Sequence, residues 1–147
     1  MLGRLLSGLS SPRSAPRASE APLALAALLV RLARADDAFS DDERRRIDKV
    51  LSARYGLSSF EAAALRRGAE DLEAEAPDTV RFTRALKDAV PHEDRVSLVE
   101  SLWIVALADG SRDPEEEALI RLVCSLLGIN DRDSALARQR VTGKGPA

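Results

Sequence analysis

The stretch that decides the fold is Ala106-Leu107-Ala108-Asp109-Gly110-Ser111-Arg112-Asp113-Pro114-Glu115-Glu116-Glu117-Ala118-Leu119-Ile120. An apolar helix ends here, the chain turns, and a second helix begins with an acidic first turn. Gly110 suits the left-handed conformation that commonly follows the last residue of a helix. Asp113 is a good N-cap residue, Pro114 fits the first helical position, and Glu116 stands where a capping box is completed. The stretch therefore predicts a helical hairpin.

The same construction occurs earlier, as Ala33-Arg34-Ala35-Asp36-Asp37-Ala38-Phe39-Ser40-Asp41-Asp42-Glu43. Here Ser40 is the predicted N-cap and Glu43 its capping-box partner. Asp36 and Asp109 are 73 positions apart, and the glutamates of the two boxes keep that separation. Four apolar pairs keep it as well: Leu29 and Leu102, Ala33 and Ala106, Ile47 and Ile120, and Val50 and Val123. We interpret the chain as a duplicated helical hairpin.

Composition favours one helical domain. Of 147 residues, 45% are apolar and only 3% are aromatic, a balance that favours helices over strands. The net charge of −2, with both signs interspersed, argues against a nucleic-acid partner. A single cysteine excludes an internal disulfide and a multi-cysteine metal site. The longest apolar run, Ala21 to Val30, is too short for a membrane span.

Residues 1–20 are predicted to form a short amphipathic helix and a flexible linker. Met1 to Leu9 carries apolar side chains three and four positions apart, without the continuous apolar run of a signal peptide. Ser10 to Glu20 is rich in Ser, Pro, Ala and Arg and has no core-forming residues. We expect the folded domain to span residues 21–141, and residues 142–147 to form a loose tail.

Apolar spacing predicts an all-α fold, a single-domain bundle of about seven helices built from the duplicated hairpin. Leu23 to Ala35 and Val96 to Leu107 are apolar on most faces, which indicates central helices. A weaker stripe consists of Val80, Phe82 and Leu86. No segment shows the alternation of a strand. The predicted core is Leu25, Leu28, Leu29, Leu32, Ile47, Val50, Leu51, Leu98, Val99, Leu102, Trp103, Ala106, Ile120, Val123 and Leu127.

Further signals mark the ends of individual helices. Gly56 and Gly128 occupy positions typical of the residue after a helix C-terminus. The segment Ser58 to Glu61 has the pattern of a capping box. Asn130 is predicted to cap a last short helix, which ends near Arg140.

The acidic residues of the two turns are the candidate binding residues. Asp36 and Asp109 each stand at the C-terminal end of a helix, where the helix dipole disfavours negative charge by about 0.3–1 kcal/mol. One interpretation is that amides of the turn hydrogen-bond to each carboxylate. The alternative is a divalent-cation site formed by Asp36, Ser40 and Glu43, or by Asp109, Asp113 and Glu116, whose oxygens are hard ligands. We predict no other cofactor.

No pattern of residues predicts catalysis. His92 is interpreted as an exposed surface histidine, and Cys124 as a buried small hydrophobe. Trp103 is assigned to the core. The basic runs Arg44-Arg45-Arg46 and Arg66-Arg67 are interpreted as solvated faces. The sequence contains no phosphate-binding loop and no triad of nucleophile, base and acid.

The two acidic turns resemble the hallmark of the TerB-like family, which includes tellurite-resistance TerB and the N-terminal domain of the co-chaperone DjlA. The resemblance rests on Ala35-Asp36-Asp37 with Ser40 to Glu43, and on Ala108-Asp109-Gly110 with Asp113 to Glu116. It covers roughly Ala21 to Val141. The chain is most similar to a small bacterial branch, through three further segments: Arg81-Phe82-Thr83-Arg84, Leu98-Val99-Glu100-Ser101-Leu102-Trp103 and Asp131-Arg132-Asp133.

This resemblance implies an all-helical fold, no catalytic activity, and a role in metal-stress response in which acidic residues meet a cation. The family's acidic positions fall on Asp36 and Glu43 in the first turn, and on Asp109, Asp113 and Glu116 in the second. The chain departs from the pattern at residue 37, where aspartate replaces the family's usual glycine.

Two functions are therefore expected. The first is a non-enzymatic TerB-like scaffold in stress or tellurite resistance, whose acidic turns contact a divalent cation or an unknown protein partner. The alternative is a membrane-peripheral adaptor or co-chaperone-like interaction module anchored by Met1 to Leu9. That segment has one basic residue, Arg4, so its attraction to anionic lipid is weak. Both functions imply a cytoplasmic protein, and no feature of the sequence indicates an oligomeric state.

Overall fold

The computed structural model describes residues 20–35, 39–75, 78–108 and 113–143. The predicted N-terminal helix and most of the linker lie outside these residues, as does most of the tail. The described residues form seven α-helices and no strand, which confirms the predicted all-α class. The helices are α1 (Glu20–Arg34), α2 (Asp41–Tyr55), α3 (Ser59–Glu75), α4 (Thr79–Ala89), α5 (Arg95–Ala106), α6 (Pro114–Leu127) and α7 (Asp131–Thr142); one 3-10 turn, His92–Asp94, precedes α5.

The residues that end these helices are largely those that the sequence predicts. Gly56 follows α2 with φ 65°, and Gly128 follows α6 with φ 76°, the left-handed region that glycine enters without steric cost. Ser58 and Glu61 form the predicted capping box: the Ser58 amide donates to Glu61 Oε1 at 2.8 Å, and the Glu61 amide donates to Ser58 Oγ at 3.0 Å. Asn130 caps α7 through its side chain.

The first helix is the centre of the bundle. Ten of the 15 residues of α1 are buried, and the helix packs against α2, α3, α4, α5 and α6. Half of those ten residues are alanines, whose small side chains allow neighbouring helices to approach closely. The second predicted central helix, α5, packs against α1, α2, α6 and α7.

The two predicted hairpins have matching boundaries. α1 packs against α2, and α5 packs against α6. The second helix of each pair begins at Asp41 and at Pro114, positions that are 73 apart. The same helices end at Tyr55 and Leu127, each followed by its left-handed glycine. The repeat read from the acidic turns therefore extends to both ends of the second helix.

The predicted core is confirmed, because all fifteen of its residues are buried. One predicted stripe is wrong. Val80 is 38% exposed, whereas Thr79, Phe82, Thr83 and Leu86 form the buried face of α4. Residues two apart on a helix point about 200° away from each other, so Val80 and Phe82 cannot share a face.

A polar contact joins α5 to α7 inside the apolar region. Trp103 Nε1 donates a hydrogen bond to Ser134 Oγ at 3.2 Å, and both residues are buried. The Arg138 guanidinium lies 5.5 Å from the centroid of the Trp103 ring, close enough for a cation–π interaction. The assignment of Trp103 to the core is thereby confirmed. In this described part of the chain, no helix combines the length and apolar character that a membrane crossing requires.

Truncation of a fully buried side chain on α5 should destabilise the fold. We expect Leu102→Ala to lower the free energy of unfolding by about 2–5 kcal/mol, because Leu102 is 1% exposed and its loss leaves a cavity. Ile104→Ala on the same helix is the control, since Ile104 is 37% exposed. Chemical denaturation monitored by circular dichroism measures both. Equal losses for the two variants would contradict this packing.

Candidate functional site

The predicted binding residues are only partly within the described structure. Asp36 and Asp109 lie outside the described residues, so a cation site at either turn remains a prediction. Glu43 belongs to the N-terminal cap of α2: the Ser40 amide donates to Glu43 Oε1 at 2.8 Å, and the Glu43 amide donates to Ser40 Oγ at 3.2 Å. This is the predicted capping box.

The second turn leads into α6 through a similar cap. Asp113 Oδ1 accepts hydrogen bonds from the amides of Glu115 at 2.8 Å and Glu116 at 3.1 Å. Glu116 is 6% exposed, which is rare for a glutamate. The Asp113 side chain is therefore fixed as the N-cap of α6, and the Glu116 backbone lies in the first turn of that helix. Each cap engages one oxygen of its carboxylate, Oε1 of Glu43 and Oδ1 of Asp113.

The described side chains that flank the first turn form a network of ion pairs, here called the arginine cluster. It consists of Arg31, Arg34, Arg44 and Arg66 with Asp41, Asp48, Glu70 and Glu73. These residues come from α1, α2 and α3. The cluster contains four cations and four anions, so its formal charge is zero.

Glu73 ties the last turn of α1 to α3. Arg31 Nε donates to Glu73 Oε2 at 3.0 Å, and Arg34 Nη1 donates to Glu73 Oε1 at 2.5 Å. Arg31 Nη1 also donates to Thr79 Oγ1 at 3.0 Å, and its guanidinium lies 5.4 Å from the centre of the Phe82 ring. The polar ends of Arg31 and Arg34 are therefore satisfied although α1 is largely buried.

Arg66 connects α3 to α2. Its Nε donates to Asp48 Oδ1 at 2.6 Å, and its Nη1 donates to Glu70 Oε2 at 2.6 Å. The residue is 9% exposed. Burial by itself lowers the pKa of Arg66, but the hydrogen bonds and charges of Asp48 and Glu70 outweigh it and raise that pKa. The Arg66 guanidinium therefore stays charged.

This position corrects a prediction. The interpretation of Arg66-Arg67 as a solvated face is wrong for Arg66, which is buried, whereas Arg67 is exposed. The physical reason is that α3 packs directly on α2, so the side of α3 that carries Arg66 faces Asp48. In the other run, Arg45 is exposed, whereas Arg44 and Arg46 are half-buried.

An aromatic ring sits between two members of the cluster just after the first turn. The Arg34 guanidinium lies 5.3 Å from the centroid of the Phe39 ring, and that of Arg44 lies 4.2 Å from it. Arg44 Nη1 also donates to the Phe39 carbonyl oxygen at 3.2 Å. These contacts fix the chain where it leaves the turn and enters α2. Sequence reasoning did not identify these contacts; the available signal was the lone aromatic Phe39 between Arg34 at the end of α1 and Arg44 at the start of α2.

The remaining candidate side chains are placed as predicted. His92 is exposed, and its Nε2 lies 3.2 Å from the Gly128 carbonyl oxygen. Cys124 is 2% exposed. Burial raises the pKa of the Cys124 thiol; a hydrogen bond with Ser134 lowers it and the nearby charge of Asp131 raises it. A thiol with a raised pKa is a poor nucleophile at neutral pH.

The described residues contain no group of three or more His, Cys, Asp and Glu side chains arranged to hold a metal ion. What they provide is a rigid, charge-balanced surround for the first turn and a capped helix start beyond each turn.

Comparison with known proteins identifies one family. The family described as "Tellurite resistance protein TerB" matches residues 22–139. No curated protein and no solved structure matches the chain. The matched range contains all seven helices almost entirely, and it agrees with the resemblance read from the acidic turns.

Breaking the buried part of the arginine cluster should destabilise the protein. We expect Arg66→Ala to lower the free energy of unfolding by about 3 kcal/mol, because it leaves Asp48 and Glu70 in a largely buried setting without this cation. The control is Arg45→Ala, whose pair with Asp42 is solvent-exposed and should change stability by less than about 1 kcal/mol. Urea denaturation of both variants checks the difference. Similar midpoints for the two would contradict a structural role for Arg66.

The burial of Cys124 predicts a slow thiol. At pH 8 we expect dithionitrobenzoate to label Cys124 in the native protein at least about a hundredfold more slowly than in urea, because labelling needs an opening of the fold. Ala135→Cys is the control, since Ala135 is exposed on α7; its added thiol should react at once. Immediate labelling of wild-type protein would show that Cys124 is accessible.

Proposed function

This chain belongs to the TerB family, and on that basis we propose that it is a non-enzymatic cytoplasmic scaffold in tellurite or related metal-stress resistance. In this proposal its two acidic turns contact a divalent cation or a protein partner. The family match covers residues 22–139, and it supports a tellurite-resistance-related role for the chain. The acidic turns are the part of the chain that the scaffold role assigns to binding.

The observation that carries the proposal is the repeated cap beyond each turn. Ser40 caps α2 and Asp113 caps α6 at the same separation as the two turn aspartates. The cap places Glu43 in the first turn of α2, and Glu116 in the first turn of α6. Each turn is thus followed by a glutamate seven residues after its aspartate, in the first turn of the next helix, which supports oxygen ligands supplied from both sides of one turn.

The charges of the helices that flank the first turn also support a binding role for that turn. In the alternative, basic side chains of the chain itself would neutralise an aspartate at the C-terminal end of α1. The arginine cluster pairs its four cations with four carboxylates of its own. The formal charge of the cluster is zero, so the cluster has no net positive charge of its own. A cation or a basic partner group would supply that charge.

The alternative of a membrane-peripheral adaptor depends on residues 1–9, which lie outside the described structure. No observation on the described residues favours it. The scaffold is therefore the function that we propose.

The cation contact predicts a metal-dependent melting temperature. With Ca²⁺ or Mg²⁺ at about 100 times its Kd, binding to the folded state contributes about 2.7 kcal/mol, which raises the melting temperature by roughly 5–10 °C. Asp109→Asn and Glu116→Gln should each lose this rise. Glu115→Gln should keep it, because Glu115 is exposed in the same first turn but is not one of the proposed ligands.

Differential scanning calorimetry with and without a chelator measures these shifts, and each variant is compared with its own metal-free value. A wild-type melting temperature that neither ion moves would contradict the cation contact. If Glu115→Gln loses the metal-dependent rise in melting temperature as fully as Glu116→Gln does, the effect comes from the overall negative charge of this segment and not from the proposed ligands.

A further inference from the structure

A shallow groove runs along the outward side of α2, away from the arginine cluster's contact with α1. It extends from Asp42 to Ala53 and is bounded by Ser59 at the start of α3 and by Ile104 on α5. Twelve helical residues span about 17 Å, a length that three turns of another helix would match. Among the described residues, Asp42 is the one member of the acidic turns that lines this groove, and the proposed cation ligands Glu43, Asp113 and Glu116 do not line it.

The groove carries a local excess of positive charge. Arg45 is paired with Asp42, and Asp48 is paired with the buried Arg66. Among the described residues, Arg46 and Lys49 make no ion pair, although both line the groove. Two uncompensated cations three positions apart on a helix lie on one face and attract a partner with carboxylates.

The same groove has an apolar strip. Val50 lines it and is 8% exposed, while Ile104 lines it and is 37% exposed. Ile104 stands out on α5, where seven of the 12 residues are buried. Phe60 follows the groove residue Ser59 directly and is 77% exposed. Of the four large exposed hydrophobic residues, Ile104 lines the groove and Phe60 adjoins a groove residue in sequence, and an exposed apolar residue in a groove is typical of an interaction surface.

We propose that this groove binds an acidic amphipathic helix of a partner protein. The apolar stripe of that helix covers Ile104 and Val50, and its Asp or Glu side chains pair with Arg46 and Lys49. Helix-in-groove binding uses apolar residues at positions i, i+3, i+4 and i+7, which cover about 10 Å of the groove's length of about 17 Å. An anionic bilayer fits less well, because the two apolar residues that line the groove, Val50 and Ile104, lie in a concavity and so are poorly placed to insert among lipid chains.

The probe is a 14-residue synthetic peptide with leucines at positions i, i+3, i+4 and i+7 and glutamates beside them, labelled with fluorescein. Binding to the full chain is measured by fluorescence anisotropy, and the contacted residues are mapped by amide chemical shifts. We expect saturable binding with shifts along α2 and at Ile104. A scrambled peptide of the same composition, which has the charge but no stripe, should bind at least about tenfold more weakly.

Matched variants locate the site. The pair Arg46→Glu and Lys49→Glu should weaken peptide binding at least about tenfold, while Arg84→Glu should leave it unchanged, since Arg84 is an exposed cation on α4. Ile104→Ser should weaken binding about fivefold, whereas Leu122→Ser should not, because Leu122 is an exposed residue of α6 outside the groove. Circular dichroism confirms that each variant is folded.

Three outcomes would overturn the proposal. The first is equal binding of the ordered and scrambled peptides, which would mean charge attraction alone. In the second, the control variants lose as much affinity as the groove variants. The third is no peptide binding together with groove-dependent binding to phosphatidylserine vesicles, which would assign the surface to a membrane. None of these outcomes bears on the metal-dependent melting temperature, so the two proposals are tested separately.

Discussion

The burial of α1 on nearly all sides is the constraint on which the rest of the structure depends. A helix with ten buried residues of 15 leaves only a small part of its surface to water, and five other helices cover the rest. Such a helix also brings its last turn, with Arg31 and Arg34, against α3 and α4. The hydrophobic effect collects the helices around α1, and the arginines at its end must then find partners, because an unpaired buried cation is costly.

The arginine cluster provides the partners that the arginines of α1 need. Glu73 receives both arginines of α1, and Arg66 with Glu70 and Asp48 continues the network across to α2. Replacing such pairs with apolar residues is often neutral for stability. The cluster is therefore better understood as fixing the relative orientation of the helices that it joins. It sets how α1, α2 and α3 meet at the end of the molecule where the first turn begins.

Much of this architecture could be predicted from the sequence because its signals are local. A capping box such as Ser58 to Glu61, or a glycine such as Gly128 after an apolar stripe, involves residues within one turn of the helix. The position of Arg66 could not be predicted in this way. Its partner Glu70 is four residues away, but its partner Asp48 is 18 residues away on another helix. The prediction for Val80 is wrong for a different reason: that a residue is apolar does not determine which face of the helix it occupies. The candidate site was predictable at Ser40, Glu43 and Asp113, where capping chemistry fixes local geometry.

The junction of α5 and α7 has a consequence for how the protein can be observed. Trp103 is the only tryptophan in the chain, and its indole N–H is held by Ser134 on the last helix. The near-ultraviolet emission of the whole protein therefore originates mainly at this one junction. Detachment of α7 would expose the indole to water and shift the emission to longer wavelength while the other six helices remained folded. The fluorescence of this protein thus reports whether α7 is packed against α5, and detachment of α7 can precede global unfolding.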